Sequence, residues 1–161
     1  MVNRLEPIFE KVFDPSSFGY RKGHKTADAL SKIWREVEAG NEWMVDADLK
    51  DYFDSVSQEW LVRLVEHRIG DKRIVRLIRK WLRAGVLEEG TVTVSEKGTG
   101  QGSVISPLLA NIYLHYVFDL WAERWRRREA RGDMIIVRYA DGSGRGLRAG
   151  GRRPALPGGD A

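Results

Sequence analysis

The spacing of apolar residues divides the chain into alternating helical and extended stretches. Residues 4–13 read as a short helix or turn, and 16–23 as a Ser- and Gly-bearing loop. From Thr26 to about Val37, Ala27, Leu30, Ile33, Trp34 and Val37 recur at helical spacing, and Gly40-Asn41 closes that helix. Residues 43–48 predict a strand. Ser57 is placed to cap a helix over 58–68, and Gly70 stops it. Asp71 is placed to cap the next helix, which runs to Ala84 before Gly85. Residues 86–97 predict a hairpin about Glu89-Gly90, with Val92 and Val94 alternating. A Gly-rich turn follows at 98–102. A long helix is expected from about Pro107 to Ala130, and a β-branched strand over 134–139. Strands separated by helices in pairs make this an α+β chain.

The pattern stops after Asp141. Residues 142–161 hold seven of the 17 glycines, four arginines and one acid. Their only large apolar side chains are Leu147 and Leu156. Such a segment buries too little surface to offset the ordering of its backbone, which predicts a disordered Gly/Arg-rich tail after a domain over 1–141. Across all 161 residues, 27 basic against 23 acidic side chains give a net charge of +4. That balance is compatible with a nucleic-acid partner without requiring one. The absence of cysteine excludes disulfides and zinc–thiolate sites and fits a reducing cytosol. No apolar run approaches the roughly 20 residues of a membrane span.

Candidate chemistry is concentrated in five places. The densest carboxylate cluster runs from Asp46 to Asp54. On a strand, Asp46 and Asp48 share one face, and a carboxylate at a strand end can hold a hard cation such as Mg²⁺. An acidic turn in solvent, or the Asp-x-Asp metal motif of a glycosyltransferase, fits the same residues. Asp141 follows the strand at 134–139, so two strands ending in Asp could share a pair of metals. Gly98–Ser103 lets backbone approach a ligand closely. Arg21, Lys22 and Lys25, set among glycines in the loop at 18–25, could meet a triphosphate or a nucleic-acid backbone. The basic stretch at 124–131, with Arg126, Arg127 and Arg128, could touch RNA phosphates or simply complement the C-terminal end of its helix. The six tryptophans read as core or interface residues.

The order of these pieces is more specific than any one of them. LEPIFEKVFDPSSFGYRKG resembles the fingers block of the reverse transcriptases encoded by group II introns. VDADLKDYFDSV resembles their first palm motif, GTGQGSVISPLLANIYLH their Gln-containing motif, and RYAD the start of their YADD box. The resemblance implies a fingers–palm segment of a right-hand polymerase. It implies RNA-directed DNA polymerisation with two Mg²⁺ ions, an RNA template, a DNA primer, dNTPs and an intron RNA partner. It makes Asp48 and Asp141 the catalytic, metal-binding aspartates and the Leu49 carbonyl a further metal ligand. It places Arg21, Phe53, Gln101 and Gly102 at the incoming nucleotide, with Phe53 crowding the sugar 2′ position.

The chain departs from the family where Gly142 takes the fourth position of YADD. Gly100, Ser103, Lys22 and His24 also replace usual residues. A one-base frameshift at codon 142 accounts for both the missing carboxylate and the composition break. Codons permitted for 142–161 can be read one base later to restore YADD and an apolar strand. Little or no polymerase activity is expected of this chain. A non-catalytic RNA-binding remnant is the alternative.

Overall fold

The computed structural model describes residues 2–41, 43–47, 49, 52–83, 86–88, 91–93, 104–130, 134–140 and 147–151. The α+β order expected from the sequence is the order observed. Helix α1 spans Val2–Phe9 and α2 Thr26–Glu38; strand β1 spans Trp43–Ala47. Helices α3 (Tyr52–Ser55), α4 (Gln58–Arg68) and α5 (Lys72–Arg83) follow. A hairpin of β2 (Val86–Glu88) and β3 (Thr91–Thr93) comes next, then α6 (Ser106–Leu114). A π-helical turn at His115–Asp119 leads into α7 (Leu120–Glu129), β4 (Met134–Val137) and β5 (Leu147–Gly151). The single helix expected over 107–130 is thus interrupted by a π turn.

The chain forms two compact units. The first comprises Met1–Asp14 and Leu49–Leu120. Its helix ends follow the sequence signals: Ser57 Oγ accepts from the Trp60 amide, and Asp71 Oδ1 accepts from the Arg73 amide at 2.9 Å. The Arg73 bonds hold the Asp71 carboxyl below its ordinary range. On α4, Leu61, Val62 and Val65 are buried; on α5, Val75, Ile78 and Leu82 lie on one face at i, i+3 and i+7. They join Leu5 and Phe9 of α1 and Leu108, Leu109 and Ile112 of α6 in one apolar cluster. Tyr52 is buried at its edge, its hydroxyl donating to the Ala110 carbonyl at 2.8 Å. The hairpin β2–β3 has the expected register, with Glu88 opposite Thr91.

The second unit comprises Pro15–Asp48 and Trp121–Ala161. Its three-stranded sheet has the order β1-β5-β4, with β5 antiparallel to both neighbours. β5 lies in the segment expected to be disordered, so over Leu147–Gly151 that expectation is corrected. The physical reason is backbone pairing on both sides, which can order a strand that has few apolar side chains of its own. A small apolar cluster of Phe18, Ala29 and Val137, flanked by Ile33, Ile135 and Tyr139, packs within this unit.

Two expectations about apolar positions also change. α2 buries Ala29, while Leu30, Trp34 and Val37 are exposed, so its inward face is rotated from the one the spacing suggested. Trp60, Trp81, Trp121 and Trp125 join Trp34 at the surface, so of the two readings given to the tryptophans, core or interface, these five do not fit the first.

Candidate active site

The sheet of the second unit sets the frame for the two aspartates. Asp46 of β1 and Val137 of β4 both stand opposite Arg148 of β5. Because β5 is antiparallel to each, β1 and β4 run the same way and leave the sheet at the same end. Asp48 is the next residue but one after Asp46, and Asp141 follows Val137 by a four-residue step through Arg138, Tyr139 and Ala140. Asp48, Asp141, Gln101 and Gly102 themselves lie outside the described residues.

The path from β4 to Asp141 is held in detail by the loop at 16–21. The Phe18 amide donates to the Arg138 carbonyl at 2.8 Å, and the Arg138 amide donates to the Ser16 carbonyl at 2.9 Å. Ser17 and Arg138 thereby pair as a parallel bridge, adding a short strand-like segment beside the end of β4. Arg138 is buried to 1% exposure. Thr26 Oγ1 donates to the Tyr139 hydroxyl at 2.8 Å across 113 residues of sequence, and Lys32 Nζ donates to Ser16 Oγ at 2.6 Å. Arg21 Nη1 donates to the Ser17 carbonyl at 2.6 Å, so the guanidinium is anchored on the same seam.

Two residues of this seam adopt left-handed backbone without being glycine: Tyr20 (φ 55°) and Ala140 (φ 50°). Each such residue costs about 1–2 kcal/mol, and such strain gathers at working sites. Beside them the backbones of the two segments approach closely at Gly19. A Cβ on Gly19 would stand 2.0 Å from the Ala140 nitrogen and 2.5 Å from its Cα. Arg21 is a candidate from the sequence; Gly19, Thr26 and Ala140 are not. A glycine between two aromatics, Phe18 and Tyr20, was the available signal, but what it faces is remote in sequence.

Leu49 and Phe53 are half-buried against the apolar cluster of the first unit, with the Phe53 ring 5.8 Å from that of Tyr52. Lys22 and Lys25 are exposed. Arg126 makes two 2.9 Å bonds to the Glu123 carboxylate, and Arg127 a third at 2.7 Å. Hydrogen bonding from Arg126, and then from Arg127, holds the Glu123 carboxyl below its ordinary range against partial desolvation. Arg126 also reaches the Met134 carbonyl at 3.4 Å, tying α7 to β4. Two of the three arginines read as RNA contacts are therefore engaged within the protein, while Arg128 is exposed.

Residues 1–142 match the family described as reverse transcriptase (RNA-dependent DNA polymerase). The chain belongs to that family. Its α+β fold is that of a reverse transcriptase fingers and palm segment. It is 42% identical over 111 residues to the group II intron-encoded protein LtrA of Lactococcus lactis subsp. cremoris, covering 69% of this chain and 18% of LtrA. A 91 kDa protein in the cob intron of Schizosaccharomyces pombe is also 42% identical over 111 residues, covering 69% of this chain and 14% of that protein. Protein YkfC of Escherichia coli is 34% identical over 137 residues, covering 83% of this chain and 36% of YkfC. A chain of a partial Cas6-RT-Cas1–Cas2 complex aligns with a TM-score of 0.41 at 26% identity, covering 84% of this chain and 22% of that one. The chain thus spans well under half the length of these curated relatives.

The donor set of the reverse transcriptase segment suits a hard divalent cation. Two carboxylates and a backbone carbonyl supply oxygen only, as Mg²⁺ prefers. Among the described residues no cluster of three or more His, Cys, Asp or Glu side chains offers a different metal centre. No helix among the described residues is long and apolar enough to cross a membrane.

Proposed function

We propose that this chain carries the nucleotide-addition site of an RNA-directed DNA polymerase of the group II intron type. The observation that carries the reading is the common exit of β1 and β4 toward Asp48 and Asp141, with the Arg21 loop bonded along the same strand end. In this reading Asp48, Asp141 and the Leu49 carbonyl hold two Mg²⁺ ions, which supply charge neutralisation where phosphoryl transfer develops charge. Arg21 orients the dNTP triphosphate through charge-assisted hydrogen bonds. Phe53 crowds the sugar 2′ position, and Gln101 and Gly102 lie beside the incoming nucleotide. The protein holds the primer 3′-OH in line with the α-phosphorus, so its work is positioning. The 3′-oxygen bonds to phosphorus, pyrophosphate leaves, and the hydroxyl proton passes to solvent.

Gly142 weakens this site, because one carboxylate of YADD is absent. The family match extends to residue 142, where the composition also changes, which supports a frameshift at that codon. The direct test is RNA-templated primer extension by the full chain and by Gly142→Asp. Expected are little or no incorporation by the first and a gain in the second that Asp48→Asn removes. Incorporation that survives Asp48→Asn overturns the reading.

A second reading, RNA binding without synthesis, is favoured by one surface. Trp121 and Trp125 stack at 6.3 Å on the exposed face of α7, and Arg124 and Arg128 are exposed at helical spacing beside them. Aromatic platforms flanked by cations suit single-stranded nucleic acid. Salt-dependent RNA binding with no dNTP incorporation in any variant supports it.

A further inference from the structure

Gly19 stands out among the described glycines. Gly23 (φ +81°) and Gly40 (φ +93°) need their freedom for backbone conformation and have nothing within 4 Å of a built Cβ. Gly19 has no left-handed φ, and its requirement is space: a Cβ there would overlap Ala140 N, Cα and Cβ at 2.0, 2.5 and 2.7 Å. The neighbour is backbone, which cannot swing aside as the end of a side chain can. What the glycine permits is therefore direct contact between two segments, the arginine loop and the turn that leads into Asp141.

The two segments are joined before this contact, and the loop is tied back on itself after it. Before it, the Phe18 amide and Arg138 carbonyl are bonded at 2.8 Å; after it, Arg21 holds the Ser17 carbonyl at 2.6 Å. The backbone is left-handed at Tyr20 and at Ala140, immediately beside the contact on one segment and within it on the other. A side chain at position 19 would have to lift the loop from the turn, and Arg21, two residues on, would move with it.

We propose that Gly19 is a positioning residue, whose missing side chain sets the Arg21 guanidinium at the height of the Tyr139–Ala140 turn and so at the triphosphate of a dNTP. This rests on the reading of Arg21 as a nucleotide contact. Gly19 touches no substrate and acts only through Arg21. Its loss and the loss of Arg21 therefore remove the same interaction, and the two substitutions together cost no more than either alone. A merely stabilising glycine would instead give additive losses or none.

The test is equilibrium binding of N-methylanthraniloyl-dATP with Mg²⁺ to the full chain, followed by fluorescence. Variants are Gly19→Ala, Arg21→Ala and the double variant, with folding followed by circular dichroism. Loss of a charge-assisted phosphate contact weakens binding by about tenfold or more. The expected result is a similar loss in each single variant and no further loss in the double. Wild-type affinity in Gly19→Ala, or additive losses near a hundredfold, overturns the proposal while leaving the nucleotide reading intact. No binding by the wild-type chain overturns both. Should Gly19→Ala fail to fold, Tyr20→Gly loosens the left-handed link between Gly19 and Arg21 without adding an atom. It is expected to weaken binding several-fold, non-additively with Arg21→Ala, and unchanged affinity in it overturns the proposal.

Discussion

The two units hold themselves together by different means. The helical unit relies on side-chain burial: Leu5, Phe9, Leu61, Val65, Ile78, Leu109 and Ile112 are all at or near zero exposure in one cluster. Among the described residues, the sheet unit's cluster buries Phe18, Ala29 and Val137, and backbone pairing joins its strands. Strand ladders, the Ser17–Arg138 bridge and the Gly19–Ala140 contact do the work there. Apolar packing tolerates volume-conserving exchange, whereas a seam of backbone contacts tolerates little at the few positions where chains touch. The charged residues proposed to hold metal and triphosphate, Asp48, Asp141 and Arg21, all belong to the sheet unit. A site that must keep charged groups at fixed heights is better served by directional hydrogen bonds than by a non-directional core.

That contrast can be broken at several points. Truncating the helical core has the largest expected effect on stability. Leu109→Ala costs about 2–5 kcal/mol in urea unfolding, through lost burial and the cavity left behind. A cost under about 1 kcal/mol would show that the cluster is looser than its burial implies. Tyr52→Phe removes one buried hydrogen bond to the Ala110 carbonyl and is expected to cost about 1 kcal/mol, read from the same transition. In the sheet unit, Thr26→Val removes the bond to the Tyr139 hydroxyl while leaving the Gly19–Ala140 contact in place. It should weaken nucleotide binding less than Gly19→Ala does; an equal loss would shift weight from the contact to the side-chain bond.

The smallest expected effect depends on pH. Glu123 is held below its ordinary range by Arg126 and Arg127. A carboxyl whose folded value is lowered contributes stability that is complete above its unfolded value and disappears as pH falls through the folded one. Wild type should therefore be slightly more stable than Glu123→Gln at neutral pH, and the two should converge in acid. Melting temperatures across pH 3–8, a range chosen to bracket the carboxylates, check this. A gap that persists at the acid end would assign the effect to packing rather than charge.

Much of this architecture was legible in local signals. Ser57, Asp71, Gly40 and the pair Glu89-Gly90 mark element ends that depend on nearby residues, and the elements fall close to where those residues put them. The order of the motifs was enough to recognise the family. Three things were not legible, each because it is set by distant neighbours. The exposed face of α2 depends on which side β4 approaches, and Leu30, Trp34 and Val37 look like a core stripe without that knowledge. The strand at Leu147–Gly151 is ordered by β1 and β4, not by its own composition. The need for glycine at position 19 comes from Ala140, which no local pattern connects to it.

In the proposed site the ends of β1 and β4 form one metal-binding locus. The most direct measurement is paramagnetic broadening of backbone amide signals by Mn²⁺, titrated in place of Mg²⁺ into the full chain. Broadening concentrated at residues 47–49 and 139–142 together, and removed at both places by Asp48→Asn or Asp141→Asn alone, is the expected result. Broadening at one strand end only, or at both but lost independently in the two variants, would contradict a shared site.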